Sequence, residues 1–179
     1  MIKKLVYGLA VCGLLSCGGP KNEGVQENQI SQLQAFESRL SEEESTRNFI
    51  KNYLRELNSS DWKTKLPNYL QPNPEEFLEE HSKFRESFPN YKSTIKHLTV
   101  EGNEAIVWIN ITANYAASHT FEGSDYGDEI IKGIEPKNQA LSWDEIWHFD
   151  VVDGKFGDKW DFLKDNHKVL KDLNADKSP

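Results

Sequence analysis

The stretch that most constrains this chain is Leu141–Leu163, LSWDEIWHFDVVDGKFGDKWDFL. Asp153 and Gly154 are the residue types of a two-residue hairpin turn, whose central positions take positive φ. Alternating segments flank them, so the stretch predicts a β-hairpin. With Val152 opposite Lys155, the turn fixes the other partners. Val151 then faces Phe156, Phe149 faces Asp158, Trp147 faces Trp160, and Glu145 faces Phe162. One side is apolar except for Glu145 and Asp158. The other carries Asp144, His148, Asp150, Lys159 and Asp161, which suits water. A carboxylate among aromatic rings costs free energy unless it is paired, hydrogen-bonded or protonated. Two such acids on an apolar face point to a pocket. In this register they lie about 13 Å apart, four residues at ~3.3 Å each, too far to share a proton.

The rest of the body divides into helices first and strands afterwards. Ile30, Leu33, Phe36 or Glu37, and Leu40 make a weak helical stripe. Ser41-Glu42-Glu43-Glu44 has capping-box spacing and predicts a helix that starts afresh there. That helix continues through Phe49, Ile50, Tyr53, Leu54 and Leu57. Asn58-Ser59-Ser60-Asp61 stops it and opens a short helix with Trp62 and Leu66. Asn73-Pro74 reads as N-cap and first-turn proline of another. Its apolar stripe is Phe77, Leu78, His81, Phe84 and Phe88. On that stripe His81 suits a core or pocket-lining imidazole better than a catalytic one. Strands follow: Ser93–Val100, a turn at Glu101–Glu104, then Ala105–Tyr115. In the last, Ala105, Val107, Ile109, Ile111, Ala113 and Tyr115 share one side. Trp108, Asn110, Thr112 and Asn114 share the other. His119–Pro136 reads as a long loop. Its Asp125, Asp128 and Glu129 fit no calcium-loop spacing. A tail from Asp165 to Leu173 allows one or two helical turns. This order predicts an α+β domain, N-terminal helices packed on one face of a curved antiparallel sheet. A space between the two layers is expected to be apolar with a few polar groups.

Composition narrows the partners. The formal charge is −8, with no basic stripe, which argues against nucleic acid. The five histidines, His81, His97, His119, His148 and His167, are scattered without metal-ligand spacing, so no metal is expected. Both cysteines, Cys12 and Cys17, fall in the first seventeen residues, which leaves the body without a disulfide framework.

The start of the chain reads as an address. Lys3-Lys4 precedes an apolar run, Leu5–Leu15, too short for a permanent membrane span. Leu14-Leu15-Ser16-Cys17 resembles the bacterial lipobox. That resemblance implies a signal peptide over residues 1–16 and lipidation of Cys17, whose acyl chains would anchor the protein to a membrane of the bacterial cell envelope. Residue 18 is glycine, not the aspartate that retains lipoproteins in the inner membrane of enteric bacteria, which favours the outer membrane. Residues 17–29 read as a flexible tether, residues 30–173 as the domain, and residues 174–179 as a disordered tail.

The run FRESFPNYKSTIKHLTVEGNEAIVWINITANY and the hairpin after it resemble the SnoaL-like polyketide cyclase group of the nuclear transport factor 2-like superfamily. The matching motifs are Phe88-Pro89-Asn90, Glu101-Gly102-Asn103, Glu145-Ile146-Trp147-His148-Phe149, Asp153-Gly154-Lys155-Phe156 and Asp158-Lys159-Trp160-Asp161. The resemblance spans roughly Arg47 to Leu163. It implies a cone of helices over a curved sheet, and acid–base chemistry without a cofactor. Glu145 and Asp158 carry over as the catalytic acids of the concave side. Tyr115 stands at a strand position often filled by histidine; a shifted alignment brings in His119 instead. Tyr115, Trp147, Phe149, Trp160 and His81 are the expected ligand-binding wall. Three readings follow. The first is a lipid-anchored module binding a small, partly apolar molecule in its cone. The second is a cofactor-independent cyclase, isomerase or hydratase using a buried carboxylate. The third is an envelope domain that dimerises or binds a partner through its convex face, where Trp108, Asn110, Thr112 and Asn114 stand.

Overall fold

A computed structural model describes residues 23–118 and 134–173. The chain divides into two compact units, Met1–Phe36 and Glu37–Pro179. In the first, the described residues 23–36 are helical. The second holds the sheet and its packed helices.

Helix α1 runs unbroken over Glu23–Leu57. This corrects the expected restart at Ser41 and places helix inside the expected tether from Glu23 onward. The physical reason is that no glycine or proline interrupts residues 25–57, and polar residues alone do not break a helix. The acids of the supposed capping box instead make side-chain pairs within the helix. Glu43 pairs with Arg39 at 3.4 Å, and Glu44 accepts from Asn48 at 3.2 Å. Ile50, Tyr53, Leu54 and Leu57 are buried along one face. Helix α2 (Trp62–Lys65) and a single 3₁₀ turn (Leu66–Asn68) lead to α3 (Glu75–Ser87).

Four strands follow: β1 (Lys92–Glu101), β2 (Glu104–Tyr115), β3 (Gln139–Val152) and β4 (Lys155–Lys164). They form one antiparallel sheet in the order β1-β2-β3-β4. Every expected inward residue of β2, from Ala105 to Tyr115, is buried. Helix α4 (Asn166–Leu173) lies along β3 where β4 has ended. There Asp172 accepts the Ser142 amide at 3.4 Å, while Val169 and Leu173 are buried.

Side chains join α1 to the sheet. Asn58 donates to the Ser93 carbonyl at 2.7 Å and accepts the Ser93 amide at 2.8 Å. The Thr46 hydroxyl donates to the Gly102 carbonyl at 2.9 Å.

The β3–β4 turn forms as expected, with Asp153 at φ 51° and Gly154 at φ 74°. Beyond Val151–Phe156 the register changes. Phe149 faces Trp160, Trp147 faces Phe162, and Glu145 faces Lys164. Two extra residues of β4 are taken up opposite Asp150. The cause is local. The Asp150 carboxylate turns across the strand pair and accepts the Lys159 amide at 2.8 Å. It occupies the space where a Cβ on residue 157 would stand, so any larger residue there would have to displace the carboxylate. An even slip keeps Trp160 and Phe162 facing the helices. Asp158, inside the irregularity, is turned out and exposed, contrary to the expected inward position.

Candidate functional site

Period-two alternation puts Trp143, Glu145, Trp147 and Phe149 on the inward face of β3. Trp143, Trp147 and Phe149 are buried, and Glu145 is partly buried between the two tryptophans. The Trp143 indole N–H donates to Glu145 Oε1 at 2.7 Å. The Trp147 indole N–H donates to Oε2 at 2.6 Å. Each carboxylate oxygen therefore has its own donor. Burial pushes the Glu145 pKa up, against the opposing pull of the Trp143 N–H, the Lys164 charge and the Trp147 N–H. Lys164 is the cross-strand partner, with its ammonium 5.2 Å from the centre of the Trp143 ring. The result is a carboxyl group that accepts in place and resists ionisation more than a solvated one does.

Aromatic rings continue the wall. Phe149 meets Trp147 at 5.6 Å and Trp160 at 5.1 Å, edge to face. Trp160 meets Tyr53 of α1 at 6.5 Å and Phe77 of α3 at 5.7 Å. Phe77 stacks on His81 at 5.7 Å. The structure thus gathers Glu145, Trp147, Phe149, Trp160 and His81 along one continuous inner surface.

Tyr115 stands at the far end of this inner face, joined to it through Phe88, which meets the Trp143 ring edge to face at 6.3 Å. It faces Gln139, whereas Ile109 faces Glu145, six residues away along β2 or roughly 20 Å. Its hydroxyl donates to the Ile134 carbonyl at 3.0 Å, and its ring stacks on Phe88 at 5.4 Å. Asp158 is outside, on the exposed side. His119 and the acids of the 119–133 loop lie outside the described residues.

Around His81 the surroundings are dense. Trp62 and Tyr91 meet its ring edge to face at 4.8 and 5.7 Å, and Phe84 stacks on it at 5.9 Å. Arg85, one turn further along α3, donates from Nε to His81 Nε2 at 3.0 Å. The same guanidinium hydrogen-bonds the Leu57 carbonyl at the end of α1. It lies 4.9 Å from the centre of the Trp62 ring and 5.0 Å from that of Tyr91. Burial, with the nearby Arg85 charge, pushes the His81 pKa down to about 3. His81 is therefore neutral at physiological pH. Tyr91 is held far above the usual phenol value by burial first and by the Glu145 charge second.

Sequence reasoning missed Trp143, Tyr91 and Arg85 as site residues. Two signals were available. Trp143-x-Glu145-x-Trp147 is the spacing that sets two indoles on either side of one acid. His81 and Arg85, four apart on a helix, are neighbours on its surface. Among the described residues no cluster of three or more His, Cys, Asp or Glu side chains could hold a metal ion.

With this geometry established, the fold finds clear counterparts among solved structures. One is a protein from Jannaschia sp. CCS1, provisionally named a SnoaL-like polyketide cyclase. It is 16% identical with a TM-score of 0.60, over 77% of this chain and 96% of that one. A SnoaL-like polyketide cyclase from Agrobacterium tumefaciens is 13% identical with a TM-score of 0.56, over 72% of this chain and 97% of that one. AclR from Streptomyces galilaeus, provisionally named a hydroxylase, is 16% identical with a TM-score of 0.57, over 76% of this chain and 88% of that one. The architecture is the SnoaL-like cone of the nuclear transport factor 2-like fold, and at these identities the likeness is one of fold. No protein-family model matches the chain, and no curated protein does.

His81 yields a prediction about pH. Its pKa is about 3 folded against 6.5 unfolded, so between those values the unfolded state binds more protons. Stability from this residue is complete above pH 6.5 and falls as the pH drops towards 3, by up to ~1.4 kcal/mol per pH unit. Urea unfolding of the mature chain at several pH values should show this slope. The difference between wild type and His81→Phe should grow smaller, or reverse, as the medium is acidified. A difference independent of pH would contradict a neutral imidazole packed among the rings of Trp62, Phe77, Phe84 and Tyr91.

Proposed function

We propose that the cone binds a small, partly apolar molecule, with Glu145 as its polar anchor. The observation that carries this reading is a carboxyl group facing the helices, set among Trp143, Trp147 and Phe149 and supplied with two N–H donors. A carboxyl there has no need of a surface partner, and its remaining lone pairs can receive a ligand hydroxyl or acidic C–H. That solved proteins of this fold are named polyketide cyclases and a hydroxylase agrees with a cone that admits organic ligands.

A second reading has its own support. The raised Glu145 pKa moves the carboxyl towards neutral working pH, as a general acid or base requires. On that reading the chain is a cofactor-independent cyclase, isomerase or hydratase.

We also propose that the mature protein is anchored to the cell envelope, with the outer membrane favoured, through lipid on Cys17. The support is the Leu14-Leu15-Ser16-Cys17 motif behind a short basic start. Among the described residues no helix is long and apolar enough to cross a membrane. A homodimer through the outer sheet face is consistent with Trp108, Ile146 and Leu163, adjacent on three strands and 44%, 43% and 72% exposed.

Native mass spectrometry of the mature chain purified from its own membranes should find a co-purifying small organic molecule. Glu145→Ala should lose it. Retention of the same molecule by that variant would remove Glu145 from the site. With the molecule in hand, Glu145→Gln separates the two readings. Unchanged affinity with turnover abolished identifies an enzyme, and no turnover by the wild type identifies a binding module.

Growth with labelled palmitate should label the wild-type protein and leave Cys17→Ala unlabelled. Label retained on the variant would overturn the anchor.

A further inference from the structure

Beyond the end of β4, the sheet carries a cavity of about 560 Å³ on its outer face, opposite Glu145. Small-molecule sites span roughly 300–1,000 Å³. Thr112 and Asn114 of β2 form its base, with Ser142 and Ala140 directly opposite them on β3. Asn90, just ahead of β1, lines one side, and Asp172 of α4 lines the other. Ala140 is exposed and ends at its methyl group, so no long side chain of β3 fills the space beside Asn114.

The polar groups around this cavity are only partly used. Ser142 Oγ accepts from Asn110 Nδ2 at 3.1 Å, which leaves the Ser142 O–H to donate. Asn114 donates from Nδ2 to Asn138 Oδ1 at 3.2 Å, which leaves the Asn114 carbonyl oxygen to accept. Asp172 Oδ2 accepts from the Ser142 amide and the Lys168 ammonium, while Oδ1 accepts from no described residue. The Thr112 hydroxyl and the Asn90 amide also have no partner among the described residues. Free donors and free acceptors therefore stand side by side. The one formal charge among the lining residues is on Asp172, and Lys168 balances it. An anion or a cation matches half of such a set. A hydroxyl both donates and accepts, so a neutral ligand bearing several hydroxyls matches all of it. The C–H face of a sugar ring also suits the Ala140 methyl.

We propose that this cavity binds a neutral polyhydroxylated ring, the unit of a saccharide. Thr112, Ser142, Asn114 and Asp172 take its hydroxyls. Asn110 is a positioning residue, because its bond to Ser142 Oγ turns the Ser142 hydrogen away from itself. The site is on the other face of β3 from Glu145, so it is independent of any ligand in the cone.

A network on the outer face supplies the readout. Asn110 Nδ2 also donates to Asp144 Oδ1 at 2.8 Å, and the Trp108 indole N–H donates to Asp144 Oδ2 at 3.0 Å. The mature chain is titrated by NMR with glucose, galactose, mannose, N-acetylglucosamine and their disaccharides. At least one should move the Ser142 amide, the Asn110 side-chain amide and the Trp108 indole together, and leave the Trp143 and Trp147 indoles in place. Thr112→Val and Ser142→Ala should each weaken that sugar about fivefold, the equivalent of one hydrogen bond. Ala140→Phe fills the cavity from an exposed position and should abolish binding. Glucuronate should bind more weakly than glucose because it meets the Asp172 carboxylate. Tighter binding of glucuronate would overturn the assignment to neutral ligands. Affinity that survives Ala140→Phe would overturn the site, as would silence of the outer-face signals towards the whole panel. Movement of the Trp143 and Trp147 indoles alone would place the sugar in the cone, which overturns this site and leaves the cone as a ligand chamber.

Discussion

A carboxylate can remain inside an aromatic shell only if the shell itself supplies hydrogen bonds. Here the supply comes from Trp143 and Trp147, two residues to either side of Glu145 on one strand. The strand's alternation brings all three to the same face, and the indoles lie far enough from their own backbone to reach the oxygen atoms between them. The site therefore depends on the phase of β3. Moving that strand by one residue would turn the acid and both indoles to the opposite face. The β2 pairing, with Ile109 opposite Glu145, holds the phase from one side. The Asp153-Gly154 turn holds it from the other.

The arrangement around this centre follows from how the flanking elements are fastened. Asn58 pairs with the Ser93 backbone in both directions, which places the buried face of α1 and Tyr53 with it. Arg85 ties the end of α1 to α3 and sets the His81 tautomer with the same guanidinium. The irregularity in β4 keeps Trp160 directly opposite Phe149. Without it, the turn register would place Trp160 against Trp147. Asp150 and Gly157 therefore shape the inner wall from the outer side of the sheet.

Much of the fold was legible because it rests on short-range rules. The Asp-Gly turn, the alternation of Ala105–Tyr115 and the order of helices before strands all predict what the structure contains. Two features were not legible for physical reasons. Ser41–Glu44 has the residues of a helix start, but those residues are equally content inside a helix, and only the lack of glycine or proline over residues 25–57 argues for the second. The β4 slip depends on a carboxylate from the partner strand lying against a glycine, a tertiary contact that alternation does not encode. That slip is why Asp158 faces outward. Of the expected site, Glu145, Trp147, Phe149, Trp160 and His81 lie together, because an even slip preserves the face. Tyr115, named by resemblance, lies at the far end of the same inner face and meets it through Phe88.

The most direct test of the central interaction is the indole region of a ¹H–¹⁵N spectrum of the mature chain, recorded for wild type and Glu145→Gln. The sequence has five tryptophans, so five indole signals are expected. Those of Trp143 and Trp147 should lie downfield with slow hydrogen exchange, and both should move upfield together when the carboxylate becomes an amide. If neither signal responds to the substitution, Glu145 does not sit between the two indoles and the inward acid on which the account rests is absent.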